Sequence, residues 1–454
     1  MATLNNAPRD SFSSRIGVIA AAAGSAVGLG NIWRFPYVAG ENGGGAFLLI
    51  YLGFILAIGF PVMLAELTIG RRAQLNALGS FKKLAPGKPW FLVGLMGIVA
   101  AFLILAFYST IAGWTLEYLI QAIGNQFAGK SPNQLKESFE IFQSGTFRPL
   151  LWQMIFMFLT GYIVYSGVKN GIEKYTKILM PVLFLLILVM TVRSVTLEGA
   201  SGGLNFLFKP DFSKITWPVV LDALGQAAFS LSIGMGALIT YGSYIQKNNP
   251  LPNIALQVTA ADTLIAILAG VMIFPAVFAF NIDPAEGFGL VFIVLPNIFE
   301  QMAGGYFFSI LFFVLLAIAA LTSTVSVLEV VVAYFSEELK MTRNKATIIA
   351  SVAISFVGVF ATLSFGPLSD DIIFGRTIFG WFDYLSANVF LPVGALAIVV
   401  FVGWFMGKRN VKNEITNEGS LKVLFFPVFI WIVRLIAPVA IAVVFLYGLG
   451  VLKL

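Results

Sequence analysis

The sequence predicts an all-α polytopic membrane protein that crosses a bilayer eleven times. Hydrophobic residues make up 59% of the 454 residues and charged residues only 11%, while the mean hydropathy is +0.91. Soluble domains carry about 25% charged residues, and a water-soluble chain of this composition could not hide its apolar surface. The sequence has no Cys and no His. Thiolate chemistry and histidine catalysis are therefore excluded, and most hydrolytic and redox enzymes are disfavoured.

Eleven stretches are nearly free of charge and close to the length needed to cross a membrane, which is about 20 helical residues. The fifth stretch is short and begins inside a charged turn, and the last one extends back to about Val423, past Arg434. The stretches are residues 16–33, 42–65, 89–116, 149–168, 178–192, 223–246, 263–282, 301–328, 346–369, 384–407 and 435–452.

These spans predict the organisation of the chain. An N-terminal arm precedes two units of five spans each, and a single span follows them. The predicted segments are the arm at 1–15, the first repeat at 16–195, an extracellular loop at 196–217, the second repeat at 218–407, a cytoplasmic loop at 408–422 and the eleventh span at 423–454.

Basic residues are divided unequally between the two sides of the predicted membrane. The arm and the loops on its side hold 18 Lys and Arg residues, and the opposite side holds 8. The positive-inside rule therefore predicts a multi-pass protein of the cell's inner (plasma) membrane with a cytoplasmic N-terminus and an extracellular C-terminus. This bias accounts for the net charge of +6. No basic stripe interleaved with aromatic residues indicates nucleic-acid binding.

Two spans carry a pair of glycines at mid-membrane depth. The first reads Gly24-Ser-Ala-Val-Gly-Leu-Gly-Asn31, and the sixth reads Phe229-Ser-Leu-Ser-Ile-Gly-Met-Gly236. Each Gly weakens a helix by about 1 kcal/mol relative to Ala. The two motifs lie five spans apart, so a unit that repeats between them must be inverted in the membrane. Paired interruptions of this kind indicate a transporter site, although a small-residue packing face is the alternative for the first motif.

An interrupted helix in a membrane suits a zwitterionic ligand and a small cation. Free N–H groups at the start of a half-helix attract a carboxylate, while unwound carbonyls attract cations. The hydroxyls of Thr322, Ser323 and Thr324 in the eighth span add further oxygen atoms. The alternative for these three residues is that each hydroxyl bonds back to its own helix.

Charged residues inside the spans are costly and indicate function. They are Glu66, Asp262, Arg34 and Asp383. We expect Arg34 and Asp383 to pair as an outer gate because both lie near the extracellular ends of their spans, with a static structural ion pair as the alternative. Glu329 and Arg434 are interpreted as structural or interfacial.

The segment Asn31-Ile-Trp-Arg-Phe-Pro-Tyr37, followed by Glu41-Asn-Gly-Gly-Gly-Ala-Phe47, resembles the signature of the neurotransmitter:sodium symporters. The resemblance covers essentially the whole chain and implies the LeuT-type fold of five plus five inverted helices, working by alternating access. Its further motifs are Gly225-Gln226, Gly242-Ser-Tyr244, Leu321-Thr-Ser323 and Trp381-Phe-Asp-Tyr384.

One branch of that family is especially similar. Eleven spans, and Gly171 with nine residues before Pro181, resemble bacterial members that transport several hydrophobic amino acids. In that branch the Gly171 spacing is tied to unwinding of the inner part of helix five.

The resemblance implies two sodium sites and a substrate site. The first sodium ion would meet Ala26, Asn31, Ser230 and Asp262, and the second would meet Gly24, Val27, Ala319, Thr322 and Ser323. The substrate-binding residues would be Ser25, Ala26, Leu29, Gly30, Ile104, Tyr108, Phe229, Ser230, Ser232, Met235, Ser323 and Val327.

Within that substrate site the resemblance also implies roles. The amides of Leu29 and Gly30 and the Tyr108 hydroxyl would bind the carboxylate, and carbonyls of Ala26, Phe229 and Ser232 would bind the amine. Phe229 and Tyr108 would act as a lid below the Arg34–Asp383 gate. An inner gate would join Arg9 to Glu337, near Ser243 and Tyr244.

Four positions depart from patterns known in the family. Ser25 stands where monoamine carriers have the Asp that holds an amine, so amines without a carboxylate are disfavoured. Met235 replaces an aromatic residue and adapts to varied ligands. Phe12 replaces an inner-gate Trp and lacks its hydrogen bond. Asp262 stands where chloride-dependent carriers have Asn, and its carboxylate would make chloride unnecessary.

We therefore expect a sodium-coupled symporter that imports hydrophobic L-amino acids, both aromatic ones such as tryptophan and branched aliphatic ones. A sodium symporter for a smaller or polar amino acid, or an amino-acid-like solute, is the alternative. An ion channel would need rings of charge or filter loops, and an enzyme would need a nucleophile and base. Neither is found, so the expected partners are the substrate, sodium ions and the lipid bilayer.

Overall fold

The computed structural model describes residues 10–282, 289–370 and 372–452, and these are helical apart from turns, loops and one isolated bridge between Ile373 and Arg376. The helices in chain order are α1 (Arg15–Ala26), α2 (Gly30–Glu41), α3 (Gly45–Ala73), α4 (Ala77–Leu84), α5 (Phe91–Ile123), α6 (Pro132–Ser144), α7 (Phe147–Tyr165), α8 (Val168–Val195), α9 (Ser201–Phe208), α10 (Trp217–Ser230), α11 (Ala237–Ser243), α12 (Leu251–Ala279), α13 (Leu290–Gln301), α14 (Gly305–Glu337), α15 (Arg343–Leu363), α16 (Ile378–Phe405), α17 (Lys408–Ile415) and α18 (Phe426–Gly448).

The helices long enough to cross a membrane confirm the predicted all-α membrane architecture. Within the described residues nine helices pass by length and apolarity, and α1 with α2, bent by 49° at a short break, makes ten if counted as one span. The predicted sixth span is divided between α10 and α11, which are each too short to cross. The count of eleven therefore stays a prediction.

The fifth span, α8, begins earlier than predicted because the charges at its start are neutralised. Helix α8 begins at Val168, well before the expected start at 178. Lys177 Nζ lies 2.5 Å from Glu173 Oε1 one turn away, and Ser13 and Ser14 also donate to Glu173. The helix is wound around Gly171 in this structure, so the expected unwinding of this segment is not seen here. A side chain at Gly171 would collide with the Ile163 carbonyl.

Several further spans are also longer than predicted, and polar contacts explain two of them. Helix α3 continues to Ala73, past residue 65, because the charged Arg71 at its end is buried against Glu414 at 2.6 Å. Helix α16 begins at Ile378 rather than 384, since the Thr377 hydroxyl caps it by accepting from the Gly380 amide. Charge-free stretches therefore underestimate a span wherever a polar side chain finds a partner.

The breaks of the first and sixth spans lie between the same long helices. Helices α5 and α14, the third and eighth spans, pack along each other, and α1 lies against α14 and α8. Helix α11 packs on α3, and α12 contacts α1 and the start of α2. This arrangement brings both interrupted helices to one place in the core.

The paired glycines serve different purposes in the two breaks. Gly234 and Gly236 have positive φ angles of 91° and 78°, which favour residues without a side chain. A Cβ at Gly234 would also collide with the Leu391 carbonyl. Gly28 has no such angle, but a Cβ there would collide with Ser323 Oγ. Gly234 and Gly236 therefore let the backbone turn, whereas Gly28 leaves room for the Ser323 hydroxyl.

Candidate functional site

Three polar side chains from different helices meet beside the first break. Asn31 Nδ2 donates to Asp262 Oδ1 at 2.7 Å and to Ser230 Oγ at 3.0 Å, and Ser230 Oγ lies 2.9 Å from Asp262 Oδ2. All three are almost completely buried. The Tyr51 hydroxyl reaches Ser230 Oγ at 3.3 Å. The structure thus brings together three of the four residues predicted for the first sodium ion, and Ala26 ends α1 beside them.

The unwound backbone next to this cluster is held open by side chains. The Gly28 amide donates to Asn31 Oδ1 at 3.1 Å, and Gln226 Nε2 donates to the Gly30 carbonyl at 3.2 Å. Because a buried backbone group without a partner is costly, these bonds stabilise the break. They leave oxygen atoms concentrated in an otherwise apolar core.

The residues predicted for the second sodium ion also converge. Thr322 Oγ1 lies 3.1 Å from the Ala319 carbonyl and 3.5 Å from the Val27 carbonyl, and Ser323 Oγ donates to the Ser25 carbonyl at 3.3 Å. A Cβ at Gly24 would lie 3.2 Å from Thr322 Cβ. The end of α1 and the middle of α14 therefore present hydroxyl and carbonyl oxygens to each other.

A small cavity of about 40 Å³ lies between the two oxygen clusters. All of the predicted substrate residues line it except Leu29. The Leu29 amide instead donates to the Tyr108 hydroxyl at 3.1 Å. Three lining residues were not predicted: Gly28, Leu105 and Leu391. Leu105 and Leu391 lie in continuous apolar runs, which give no sequence signal, whereas Gly28 belonged to a recognised motif. The full lining is Ser25, Ala26, Gly28, Gly30, Ile104, Leu105, Tyr108, Phe229, Ser230, Ser232, Met235, Ser323, Val327 and Leu391.

The cavity has a polar end and an apolar wall. Ser25 Oγ is buried without a hydrogen-bond partner, while its carbonyl accepts from Ser232 Oγ at 2.9 Å. Helix α2 begins at Gly30, and the N-terminus of a helix favours a negative group. Ile104, Met235 and Val327 form an apolar wall, and none of the described residues that line the cavity is charged.

On the predicted extracellular side, Arg34 covers the cavity without pairing with Asp383. The Arg34 guanidinium lies 4.1 Å from the centre of the Phe229 ring, a cation–π contact. Asp383 is exposed, and among the described ion pairs with N···O up to 4.0 Å none joins it to Arg34. A further cavity of about 300 Å³ opens beyond, lined by Arg34, Glu41 and Asp222 among others. The Arg34–Asp383 gate stays a prediction, for a conformation other than this one.

On the predicted cytoplasmic side, the N-terminal arm covers the core. Phe12 is 2% exposed, and its ring packs edge-on against Tyr241 at 5.7 Å and Tyr244 at 6.0 Å. Its amide donates to the Tyr244 carbonyl at 3.2 Å. Glu337 accepts from the Asn76 backbone and side chain at 2.7 and 2.9 Å. Arg9, its predicted gate partner, lies outside the described residues.

Glu329 is more connected than the sequence indicated. Its side chain is fully buried, so it is not interfacial. It accepts from the Tyr244 hydroxyl at 2.6 Å, and from Arg343 at 2.9 and 2.6 Å. Glu329 thus links the residues under Phe12 to the start of α15. The available signal was an acidic residue inside an apolar helix, but its partners lie on distant segments.

Glu66 reaches the other break. It is completely buried, and its Oε1 accepts from the Gly234 amide at 2.7 Å. Helix α3 therefore holds the unwound part of the sixth span through a side chain, as Gln226 holds the first. The sequence placed Glu66 inside a span but named no partner for it.

The sequence of this chain is similar to those of known sodium-dependent transporters. The Sodium:neurotransmitter symporter family matches residues 9–140 and 130–453. The sodium-dependent transporter YhdH of Bacillus subtilis (strain 168) is 42% identical over 97% of this chain and 98% of its own length. A sodium-dependent transporter of Haemophilus influenzae is 38% identical over 98% of this chain and 100% of its own.

A solved structure is similar over nearly the whole chain. The crystal structure of MhsT in complex with L-phenylalanine superposes with a TM-score of 0.90, at 50% sequence identity, over 97% of this chain and 100% of that one. This similarity confirms the predicted LeuT-type fold.

Proposed function

Because the chain belongs to the sodium:neurotransmitter symporter family, and is thus a sodium-dependent transporter rather than an enzyme, we propose that it imports hydrophobic L-amino acids together with Na⁺. The observation that carries this proposal is the divided cavity, with polar atoms at one end and an apolar wall at the other. That division matches an amino acid whose charged groups are shared by all substrates and whose side chain is apolar. The similar MhsT structure contains L-phenylalanine.

The polar end suits the carboxylate and the amine. In the proposed complex the carboxylate takes the Leu29 and Gly30 amides at the start of α2, and the Tyr108 hydroxyl, which already accepts from Leu29. The amine takes carbonyls of Ala26, Phe229 and Ser232. Ser25 Oγ, buried without a partner, is an additional acceptor. A neutral serine here gives no charge to an amine that lacks a carboxylate, so monoamines are disfavoured.

The two oxygen clusters are proposed as two sodium sites. Asn31, Ser230 and Asp262 would bind the first ion with the Ala26 carbonyl, close enough to the substrate carboxylate for both to interact. Thr322 and Ser323 would bind the second, with carbonyls of Gly24, Val27 and Ala319. Each set takes oxygen atoms from both an interrupted span and a continuous one. Sodium binding would therefore hold the interrupted span and the continuous span in a fixed relation. This would couple the ion gradient to alternating access.

The size of the cavity bears on which substrates enter. A cavity of about 150 Å³ holds benzene, whereas this one measures about 40 Å³. An aromatic substrate would therefore need Phe229 and Met235 to move, and Met is well suited to this because its side chain is flexible. The alternative, a smaller or polar amino acid, would require less movement of this wall. The two proposals differ in a directly measurable way.

The deciding experiment is binding of all twenty amino acids to the purified protein in Na⁺, and in K⁺ or choline. The proposal expects hydrophobic amino acids from valine to tryptophan to bind in Na⁺ alone. Binding limited to glycine, alanine or serine would establish the alternative. Binding of tryptophan with equal affinity in all three salts would contradict coupling at these sites.

The orientation of the chain is also a proposal. The positive-inside count places Phe12 and the N-terminal arm in the cytoplasm, and the cavity beyond Arg34 outside. The described structure then has its cytoplasmic side covered by the arm, with a 300 Å³ cavity on the outer side. Substrate would enter past Arg34 and leave after the arm separates from Tyr241 and Tyr244.

A further inference from the structure

The outer surface of the fold carries a groove that the transport mechanism does not use. It runs between α7 and α15, the fourth and ninth spans, and has a volume of about 600 Å³. Its floor lies where the two helices approach each other, with Ser351 Oγ 3.0 Å from the place of a Cβ at Gly161. A larger residue at 161 would fill this floor.

Apolar side chains that face away from the protein form the walls of the groove. Ile348, Val352 and Phe356 follow one another at helical spacing on α15 and are exposed, as are Phe158 and Tyr162 on α7. Both helices qualify as membrane spans. The walls therefore face hydrocarbon, and an acyl chain is the occupant that a bilayer supplies.

One end of the groove differs from the rest because it is polar and basic. Tyr165 lies there, and its hydroxyl accepts from Asn344 Nδ2 at 3.1 Å. Lys345 precedes the lining residue Ile348 by three positions, which puts it on the same side of α15. Lys169 follows Tyr165 across the turn at Gly167. Both lysines are exposed, and neither takes part in an ion pair among the described residues.

The carboxylates nearest to this end are already paired with other cations, Glu329 with Arg343 and Glu173 with Lys177. Residues 154–172 and 340–359, which contain the groove and its polar end, include no Asp or Glu. Arg343, a further cation in the second of these segments, is already held by Glu329. Lys169 and Lys345 are thus positive charges that form no ion pair with a carboxylate of the described residues. Both belong to segments that the positive-inside count assigns to the cytoplasm, where the leaflet carries anionic lipids.

We propose that this groove binds an anionic phospholipid of the cytoplasmic leaflet. One acyl chain lies along Phe158, Val352 and Phe356, and the phosphate lies between Lys169 and Lys345. Tyr162 and Tyr165 lie in the last turn of α7, and aromatic residues gather at such ends of membrane spans. Basic pockets between spans on this side are suited to lipid headgroups. A zwitterionic lipid fills the same walls but gains less from the two lysines.

The test measures binding of dioleoylphosphatidylglycerol and dioleoylphosphatidylcholine to the purified full-length protein by native mass spectrometry. We expect the anionic lipid to bind more tightly. The double variant K169Q/K345Q should lose that preference, by roughly fivefold in affinity for each lysine. The matched control K136Q/K209Q, which changes two exposed lysines on the opposite side, should keep it. Equal binding of the two lipids by the unmodified protein would overturn the proposal, as would a preference that survives in K169Q/K345Q.

Two further variants separate the groove from general surface charge. Val352→Trp adds bulk at an exposed wall position and should weaken both lipids without changing sodium-dependent amino acid binding. If Val352→Trp leaves lipid binding unchanged, the groove is not the site. Since the chain has no Cys, Val352→Cys carries a unique thiol. Rapid disulfide-linked dimers of this variant in membranes would show that a second copy covers the groove, and would replace the lipid proposal.

Discussion

Asn31 and Asp262 meet at the break of the first span, where the asparagine amide donates to Asp262 Oδ1 at 2.7 Å. The two residues are 231 positions apart in the chain, and neither side chain is exposed to solvent. Ser230, at the break of the sixth span, hydrogen bonds to both. A cation held here would therefore join three helices at once, so its binding would bias the conformation of the whole protein.

Replacing Asn31 with Leu should weaken sodium binding strongly. The change removes a proposed oxygen ligand that no apolar neighbour can replace. It also leaves Asp262 short of a hydrogen bond, a loss of about 1–3 kcal/mol. The Na⁺ concentration needed for half-maximal substrate binding should then rise roughly tenfold or more. Sodium titration of tryptophan binding measures this shift. Asn205→Leu, at an exposed position of α9, is the control, and a normal sodium requirement in Asn31→Leu would refute the first site.

Replacing Thr322 with Val should remove the second sodium ion while keeping the shape of the side chain. Thr322 Oγ1 lies among carbonyls of Val27 and Ala319, so its loss should reduce the cooperativity of the sodium titration. Thr324→Val is a matched control on the same helix, because Thr324 bonds to Thr160 at 2.9 Å, away from the cavity. It should lower the melting temperature and leave cooperativity unchanged. Identical sodium titrations of the two variants would contradict a second site at Thr322.

Replacing Met235 with Phe should narrow the range of substrates. The new ring stiffens a wall that must move to admit an aromatic side chain, and overpacking costs about 1–3 kcal/mol. Tryptophan should lose affinity by roughly tenfold or more relative to valine. Competition binding with a graded series of amino acids measures this, with Met154→Phe on the outer surface as the control. Lysine and glutamate should bind to neither protein.

The sequence predicted the two breaks from local signals, and most of the cavity residues from the resemblance to a known family. Glycines at mid-span depth, and polar residues such as Asn31 and Asp262 inside apolar stretches, can be recognised without knowing their neighbours. Leu105 and Leu391 could not be predicted, since an apolar residue that lines a cavity looks like one that faces lipid. The partners of Glu66 and Glu329 depend on contacts between distant segments, which no local pattern reveals.

The outer gate shows a second limit of the sequence. Arg34 and Asp383 were correctly placed in spans, but the pairing between them depends on which conformation the protein adopts. In this structure Arg34 lies over Phe229 instead. A transporter needs contacts that form in one state and break in another, so its sequence must be compatible with both arrangements.

Removing the Phe12 ring should open the cytoplasmic side. Phe12→Ala deletes the packing against Tyr241 and Tyr244, and losing a buried ring costs about 3–5 kcal/mol. Since the chain has no Cys, Val18→Cys adds a unique thiol in α1 at a position 1% exposed. Its labelling by a maleimide should speed up at least roughly tenfold in the Phe12→Ala background. Phe12→Trp keeps a ring and should label slowly, and equal rates in both backgrounds would mean that the arm is not a gate.

Transport should not depend on chloride, and Asp262 is the reason. In the proposed complex, two sodium ions and a zwitterion would bring an excess of positive charge into a buried site, which must be balanced. The Asp262 carboxylate lies beside Asn31 and Ser230 and would supply the negative charge from within the chain. Sodium-driven uptake into proteoliposomes should therefore proceed equally well in chloride and in gluconate.

The variant Asp262→Asn tests this charge argument against a structural role for the same residue. It keeps the size of the side chain and an oxygen ligand but removes the negative charge. The expected result is weaker sodium binding that is restored in part by chloride, because an external anion can then provide the missing charge. Asp222→Asn, which changes a carboxylate in the outer cavity rather than in the cluster, should remain indifferent to chloride. Normal uptake by Asp262→Asn in gluconate would show that the carboxylate does not replace chloride.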